Sequence, residues 1–200
     1  MSDHAAREDA IVATALDLAE VRGISGITTA ALARRLEFTE AALYRYFPSK
    51  GAIIAATLHH LGTRLFATMM LELMPEAVGH GHAAAQQLER HVQRFALRNG
   101  LLVELLLSAA AGHEEELQAT GHDFLHSYAE RMAEYFRQLQ ELGQIATAVP
   151  PGELARLWIC QLIGGFVTAR LARETWDPGR QPGLQAFIAG LHAVLAPIRA

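Results

Sequence analysis

Helical periodicity runs through almost the whole chain of 200 residues and limits it to an all-α fold. Ala, Leu, Arg, Gln and Glu dominate, and the sequence lacks the alternating Val, Ile and Thr runs, bounded by turn residues, that strands require. Glycines and prolines divide the periodic pattern into segments. These segments predict helices over residues 7–22, 29–36, 40–46, 49–74, 83–98, 101–111, 117–142, 152–173 and 184–197.

The predicted helices fall into two groups that meet at Pro48. The first three helices are short, whereas those after Ser49 are longer. This difference predicts a small N-terminal domain at residues 1–48 and a larger helical domain at residues 49–200.

Composition and charge argue against several classes of protein. The chain has one cysteine, Cys160, and its start, MSDHAARED, lacks the apolar stretch of a secretory signal, so we expect a cytoplasmic protein with no membrane partner. The net charge of −4 argues against general binding of nucleic acid by a uniformly basic surface. The sequence contains no P-loop, no G-x-S-x-G elbow and no dinucleotide-binding glycine pattern, so we predict neither an enzyme nor a cofactor.

The stretch TTAALARRLEFTEAALYRYF, residues 28–47, has the pattern of a helix-turn-helix. Thr28 or Thr29 can cap its first helix and Thr39 its second, because a threonine hydroxyl can accept a bond from an unpaired backbone N–H. The same hydroxyls can instead contact a DNA phosphate. Charge in this region is locally positive, with four basic residues against two acidic ones between residues 28 and 50.

The second short helix has two different faces. A rotation of about 100° per residue places Leu43 and Phe47 on one face, which we expect to pack inward. Ala41, Tyr44 and Arg45 then project outward, with Glu40 at the rim of that face. A small, an aromatic and a cationic side chain together suit a DNA groove. The alternative is that the tyrosines are half-buried packing residues.

Lys50, the only lysine of the chain, follows the helix-breaking Pro48 and the predicted helix cap Ser49. It therefore lies in the first turn of the next helix, where the helix dipole disfavours a cation. An external anion bound by the ammonium and the free backbone N–H groups would explain this position, and a DNA phosphate would serve. The alternative is a solvated surface charge.

The stretch RGISGITTAALARRLEFTEAALYRYFPSKGAII, residues 22–54, resembles the TetR family of bacterial regulators. The resemblance lies in G-x-x-x-x-T-T-x-x-L-A followed by L-Y-x-Y-F-x-S-K. It implies a transcriptional regulator, with a repressor as the first expectation. Such a regulator would bind double-stranded DNA at a pseudo-palindromic operator as a homodimer. The residues that it implies in DNA binding are Thr29, Glu40, Ala41, Tyr44, Arg45, Tyr46 and Lys50. Thr28 and Thr39 join these candidates through the capping hydroxyls that can instead contact a phosphate. One departure is Glu37, which stands where the family usually has a turn glycine, so we expect a different turn conformer.

A narrower resemblance offers an alternative function. TEAALYRYFPSK, and faintly RNGLLVELL, are similar to the nucleoid-occlusion proteins of this family, which bind DNA and a cell-division protein. It implies a nucleoid-associated protein that uses DNA as a platform and recruits a protein partner such as a cell-division factor.

The C-terminal helices are candidates for self-association. Gly164 and Gly165 lie within a predicted helix, where each glycine costs roughly 1 kcal/mol relative to alanine, and close approach of another helix would offset that cost. The residues predicted at a dimer interface are Gly164, Gly165, Leu184, Ile188 and Leu191. Packing within one subunit is the alternative.

The family resemblance also implies a small-molecule effector bound by the body. The predicted pocket residues suit a largely apolar ligand and would suit an ordinary core equally well. They are Phe95, Leu102, Leu106, Phe124, Tyr128, Met132, Trp158 and Gln161. His122 and His126, at i and i+4, are spaced to share an ion, but no further ligand motif accompanies them, so we predict no metal site.

Overall fold

The structure is a computed structural model that describes residues 3–73, 81–112, 114–145, 148–174, 177 and 182–193. Side chains are described for residues 4–69, 73, 86–91, 100–112, 114–145, 148–174, 177 and 182–190. Within these residues the chain is all-α, as predicted, with a single turn of 3₁₀ helix at Ile24–Gly26. Its helices are α1 (Asp3–Arg22), α2 (Thr29–Leu36), α3 (Glu40–Leu43), α4 (Lys50–Glu72), α5 (Gly81–Ala111), α6 (Glu115–Glu141), α7 (Pro151–Ala172) and α8 (Pro182–Ala193).

Three of the predicted helix bounds are wrong. The first helix, α1, begins at Asp3 rather than at residue 7. The helix predicted at 40–46 ends at Leu43, and the chain continues in turns, with the N–H groups of Tyr46 and Phe47 donating to the Leu43 carbonyl. The helices predicted at 83–98 and 101–111 are one continuous helix, α5. Gly100 does not end it, and this glycine lies close to Phe166, since a Cβ there would lie 3.3 Å from the Phe166 ring.

The chain divides into two compact units. The first comprises Met1–Arg64 and Leu101–Phe124. In this unit α1 contacts α2, and α2 contacts α3. Ile11, Leu32, Leu43 and other fully buried side chains form its core. The unit therefore includes the first half of α4 as well as the helix-turn-helix. The boundary after residue 48, which would divide a DNA-binding domain from a larger helical domain, stays a prediction.

The second unit comprises Leu65–Gly100 and Leu125–Ala200. Its core contains a chain of hydrogen-bonded polar groups around Tyr128. The Trp158 indole N–H donates to the Tyr128 hydroxyl at 2.9 Å, and that hydroxyl lies 3.1 Å from His91 Nε2. Burial raises the pKa of the Tyr128 hydroxyl, and the Trp158 bond acts in the opposite direction. Tyr128 is therefore neutral in the folded protein at physiological pH.

Helix α7 buries only part of its apolar surface in this unit. Leu154, Trp158 and Phe166 lie on its inner side, whereas Leu157 and Leu171 are 48% and 81% exposed. By length and composition α7 could cross a membrane. A single such helix is weak evidence for a membrane span, because core helices of globular proteins have the same composition.

Candidate nucleic-acid interface

The first helix of the helix-turn-helix is capped as the sequence predicts. The Ala31 N–H donates to Thr28 Oγ1 at 3.1 Å, so Thr28, rather than Thr29, is the cap of α2. The Ala42 N–H donates to Thr39 Oγ1 at the same distance and makes Thr39 the cap of α3. Both caps fix the ends of these short helices by satisfying a backbone donor that the helix itself cannot pair.

The turn between α2 and α3 corrects the expectation for Glu37. This residue adopts the left-handed conformation, with φ 57° and ψ 36°, so the turn is not a different conformer. The N–H groups of Glu37 and Phe38 both donate to the Ala33 carbonyl and hold the conformation. Glutamate keeps the geometry that glycine would adopt without steric cost, because these bonds and the packing of both helices offset the strain.

The side chains of α3 and its following turn divide as predicted except for Phe47, which was expected to pack inward. Leu43 is fully buried, while Tyr44 is 48% exposed. Ala41 and Arg45 are exposed beside Tyr44, and Phe47 is half-buried. The structure therefore brings a small, an aromatic and a cationic side chain together on the surface of the first unit.

Thr29 and Glu40 make a contact that the sequence did not predict. The Thr29 hydroxyl donates to Glu40 Oε2 at 2.5 Å. This bond joins the first turn of α2 to the first turn of α3 and fixes the direction of the Glu40 carboxylate. It also engages the hydroxyl that was expected to reach a DNA phosphate.

Tyr46 is half-buried in a row of rings. Its ring centroid lies 4.9 Å from that of His4 and 6.2 Å from that of Phe38. The Arg7 guanidinium lies over the Phe38 ring, 5.6 Å from the centroid. His4 and Arg7 on α1 therefore pack close to the candidate interface. Sequence reasoning missed both, because no local pattern connects α1 with residues more than thirty positions away.

The start of α4 has two features around Lys50, which is exposed. Ser49 Oγ accepts from the Ala52 N–H at 2.9 Å, which confirms Ser49 as the cap. The same hydroxyl donates to Glu114 Oε2 at 3.3 Å. Gly51 faces this carboxylate and leaves room for it. Glu114 is a second residue that sequence reasoning missed, and the glycine in the first turn was the available signal.

The predicted pocket residues are distributed over both units. Leu102, Leu106 and Phe124 are buried in the first unit, and Tyr128, Met132 and Trp158 in the second. Gln161 is half-buried, and the side chain of Phe95 lies outside the described residues. The first unit also has an open groove of about 570 Å³, lined by Glu8, Asp9, Val12, Phe47, Ala52, Ala55, Ala56, His59, His60, Thr63, Arg64, Glu116 and Thr120.

The predicted dimer residues also differ among themselves. Gly164 is exposed, and a Cβ there would meet nothing within 4 Å, while Gly165 is half-buried. Leu184 and Ile188 are each only 2% exposed because they pack inside their own chain, so their side chains are unavailable to a second copy. The side chain of Leu191 lies outside the described residues.

The two histidines with metal-ligand spacing lie on the surface of α6. His126 Nε2 lies 3.2 Å from Glu130 Oε1. Across the residues that the structure describes, no group of three or more His, Cys, Asp and Glu side chains has the arrangement of a metal site.

Comparisons with known proteins connect the N-terminal residues to one family. The sequence profile described as "Bacterial regulatory proteins, tetR family" matches residues 11–57. The nucleoid occlusion factor SlmA of Marinobacter nauticus is 31% identical over 168 residues, which cover 84% of this chain and 83% of SlmA. The SlmA of Pasteurella multocida is 32% identical over 120 residues, 60% of this chain and 54% of that protein. The reduced form of Escherichia coli NemR has a similar fold, with a TM-score of 0.69 at 17% identity, covering 94% of this chain and 96% of NemR.

Proposed function

Because this chain belongs to the TetR family of bacterial regulatory proteins, we propose that it represses transcription by binding a pseudo-palindromic operator as a homodimer. The observation that carries the proposal is the division of side chains around α3. Leu43 is sealed in the core while Tyr44 and Arg45 are left exposed on the same short segment. A core residue fixes the helix, and the outward side chains are then available to a major groove.

The exposed side chains suit two different kinds of DNA contact. Arg45 can read guanine, and the Glu40 carboxylate, directed by Thr29, can accept from a cytosine amino group. Tyr44 lies beside them, and the Ala41 methyl suits the thymine methyl group. Lys50, Thr39 and Thr28 are at helix N-termini, where the dipole and the free N–H groups favour a phosphate. For Tyr46, whose ring packs beside His4 and Phe38, we propose a phosphate contact through its hydroxyl.

Two alanine substitutions test these assignments. We expect Lys50→Ala to weaken binding to every duplex alike and to reduce the slope of log affinity against log salt by about 1. We expect Arg45→Ala to cost about 1–3 kcal/mol at the operator and to relax sequence preference at one position. Titration against an operator selected from a random DNA pool, and against an unrelated duplex, measures both effects.

A matched control for the loss of one positive charge is Arg156→Ala, because Arg156 is exposed on α7 in the second unit. This variant should bind both duplexes as the wild type does. The opposite pattern for Lys50 and Arg45 would show that the docking geometry is wrong. A wild-type protein without duplex affinity at low ionic strength would overturn the proposal.

For the homodimer we propose an interface on the outward side of α7. Leu157, Gly164 and Leu171 are all exposed and are spaced by seven residues, which places them along one side of the helix. The bare backbone of Gly164 lets a second helix approach closely. Leu184 and Ile188 are left out of this interface because they are already buried.

The effector and the cellular location extend the proposal. A small, largely apolar ligand bound by the C-terminal body would change the spacing of the two DNA-binding domains and release the operator. The support for this step is membership of the family and the apolar side chains of the second unit, including Met132 and Phe136. The protein would act in the cytoplasm, at the nucleoid.

A second candidate function is nucleoid occlusion, favoured by the 31% identity to SlmA over 84% of this chain. In this case DNA serves as a platform and the body recruits a protein partner such as a cell-division factor. Mapping of the bound sites across the genome separates the two functions. A regulator occupies few sites near promoters, whereas a nucleoid-occlusion protein occupies many dispersed sites.

A further inference from the structure

A carboxylate of the same chain occupies the N-terminus of α4. Ser49 Oγ caps this helix by accepting from the Ala52 N–H at 2.9 Å, and it donates to Glu114 Oε2 at 3.3 Å. A Cβ on Gly51 would lie 1.5 Å from the same Oε2 atom. The Glu114 carboxylate therefore rests directly on the first turn of α4, and only glycine at position 51 leaves space for it.

This position is electrostatically the one that suits an anion. Unpaired N–H groups and the helix dipole make the N-terminus of α4 partially positive, and Lys50 adds a full positive charge in the same turn. A carboxylate here neutralises part of this positive charge and so weakens the attraction for a phosphate. A phosphate brought to this turn would also be repelled by it, because like charges a few ångströms apart interact unfavourably.

We propose that Glu114 is an internal competitor of the DNA phosphate at the start of α4, so that it holds DNA affinity below the value that Lys50 alone would give. This inference rests on the proposed function, in which Lys50 contacts a phosphate. Glu114 belongs to the connection between α5 and α6, since α6 begins at Glu115. The inference therefore makes this connection a determinant of DNA affinity.

Two variants remove the competitor by different means. Glu114→Gln keeps the size of the side chain and an oxygen that can accept from Ser49, and removes only the charge. Gly51→Ala keeps the charge and pushes the carboxylate away from α4 at little cost, since the atom that must move is the end of a flexible side chain. Both variants should bind the operator and an unrelated duplex more tightly, by about three- to tenfold at low ionic strength, with a smaller difference at high ionic strength.

Matched controls separate this effect from net charge and from helix propensity. Glu115→Gln removes one negative charge at the neighbouring exposed position. Gly152→Ala makes the same change in the first turn of α7, where a Cβ would meet nothing within 4 Å. Neither control should change duplex affinity by more than about twofold. Urea unfolding of each variant verifies that it is folded under the binding conditions.

The possible outcomes distinguish this inference from the proposed function. Equal gains in Glu114→Gln and Glu115→Gln would reduce the effect to net charge and overturn the inference. Weaker binding by either Glu114→Gln or Gly51→Ala would overturn it as well, since Glu114 would then orient the start of α4 for DNA. Wild-type binding that depends on Lys50, with both variants unchanged, overturns the inference alone. A wild type that binds no duplex overturns both.

Discussion

Glu37 shows how the fold imposes a backbone conformation on an unsuited residue. Its φ of 57° lies in the left-handed region, where a side chain costs about 1–2 kcal/mol. The residues on either side leave little choice, since α2 must end at Leu36 and Thr39 must cap α3. The chain therefore stores strain at one position of the DNA-binding unit.

Substitution of Glu37 by glycine should relieve that strain. We expect Glu37→Gly to stabilise the protein by about 0.5–1 kcal/mol, because removal of the Cβ relieves more strain than the added freedom of the unfolded chain costs. Glu37→Ala is the matched control, since it removes the carboxylate but keeps the Cβ, and it should give no such gain. Urea unfolding measures both values, and equal stabilities for the two variants would show that position 37 is unstrained.

Tyr128 connects two other buried polar groups in the second unit. Its hydroxyl accepts from the Trp158 indole N–H and lies 3.1 Å from His91 Nε2. Tyr128→Phe should destabilise the protein by about 1–3 kcal/mol, because the buried Trp158 donor loses this acceptor. Tyr44→Phe, at an exposed position, should change the free energy of unfolding by less than about 0.5 kcal/mol. This account would be contradicted if Tyr128→Phe lowered the free energy of unfolding no more than Tyr44→Phe does.

Among the helices, those with local signals could be predicted from the sequence. The bounds of α2 and the cap of α3 follow from Thr28, Thr39 and the leucine spacing between them, all within a few residues. The end of α3 and the continuity of α5 could not be predicted in this way. Gly100 resembles a helix stop in sequence, yet α5 continues through it, and a Cβ there would lie 3.3 Å from the ring of Phe166, 66 positions later. A glycine stop and a glycine packing position differ only in tertiary structure.

The same limit applies to the candidate DNA interface. The rotation of about 100° per residue along a helix predicted Leu43 inside and Tyr44 and Arg45 outside, because this rotation is a local property. The bond between Ser49 and Glu114 spans 65 positions and has no local signature apart from Gly51. Long-range contacts of this kind become visible only when the helices are assembled.

Across the chain as a whole, apolar side chains can serve three purposes that composition does not distinguish. Core, ligand pocket and subunit interface all require leucine, isoleucine and aromatic residues. Leu184 and Ile188 were predicted at an interface and lie in the core, whereas Leu157 and Leu171 are exposed and were not predicted there. Burial in the single chain separates these purposes, because a side chain that is already covered has no surface left to offer.

The exposed side of α7 leads to a test of the homodimer. Gly164→Arg places a charge where we propose that a second α7 packs, and an unpaired charge in such an interface costs about 3 kcal/mol or more. Self-association should weaken by about a hundredfold or more, and operator affinity should fall with it. Gly152→Arg is the control, since Gly152 is exposed at the start of the same helix. Sedimentation at micromolar concentration measures both variants. A wild type that sediments as a monomer would overturn the homodimer, whereas a Gly164→Arg variant that remains dimeric would remove α7 from the interface.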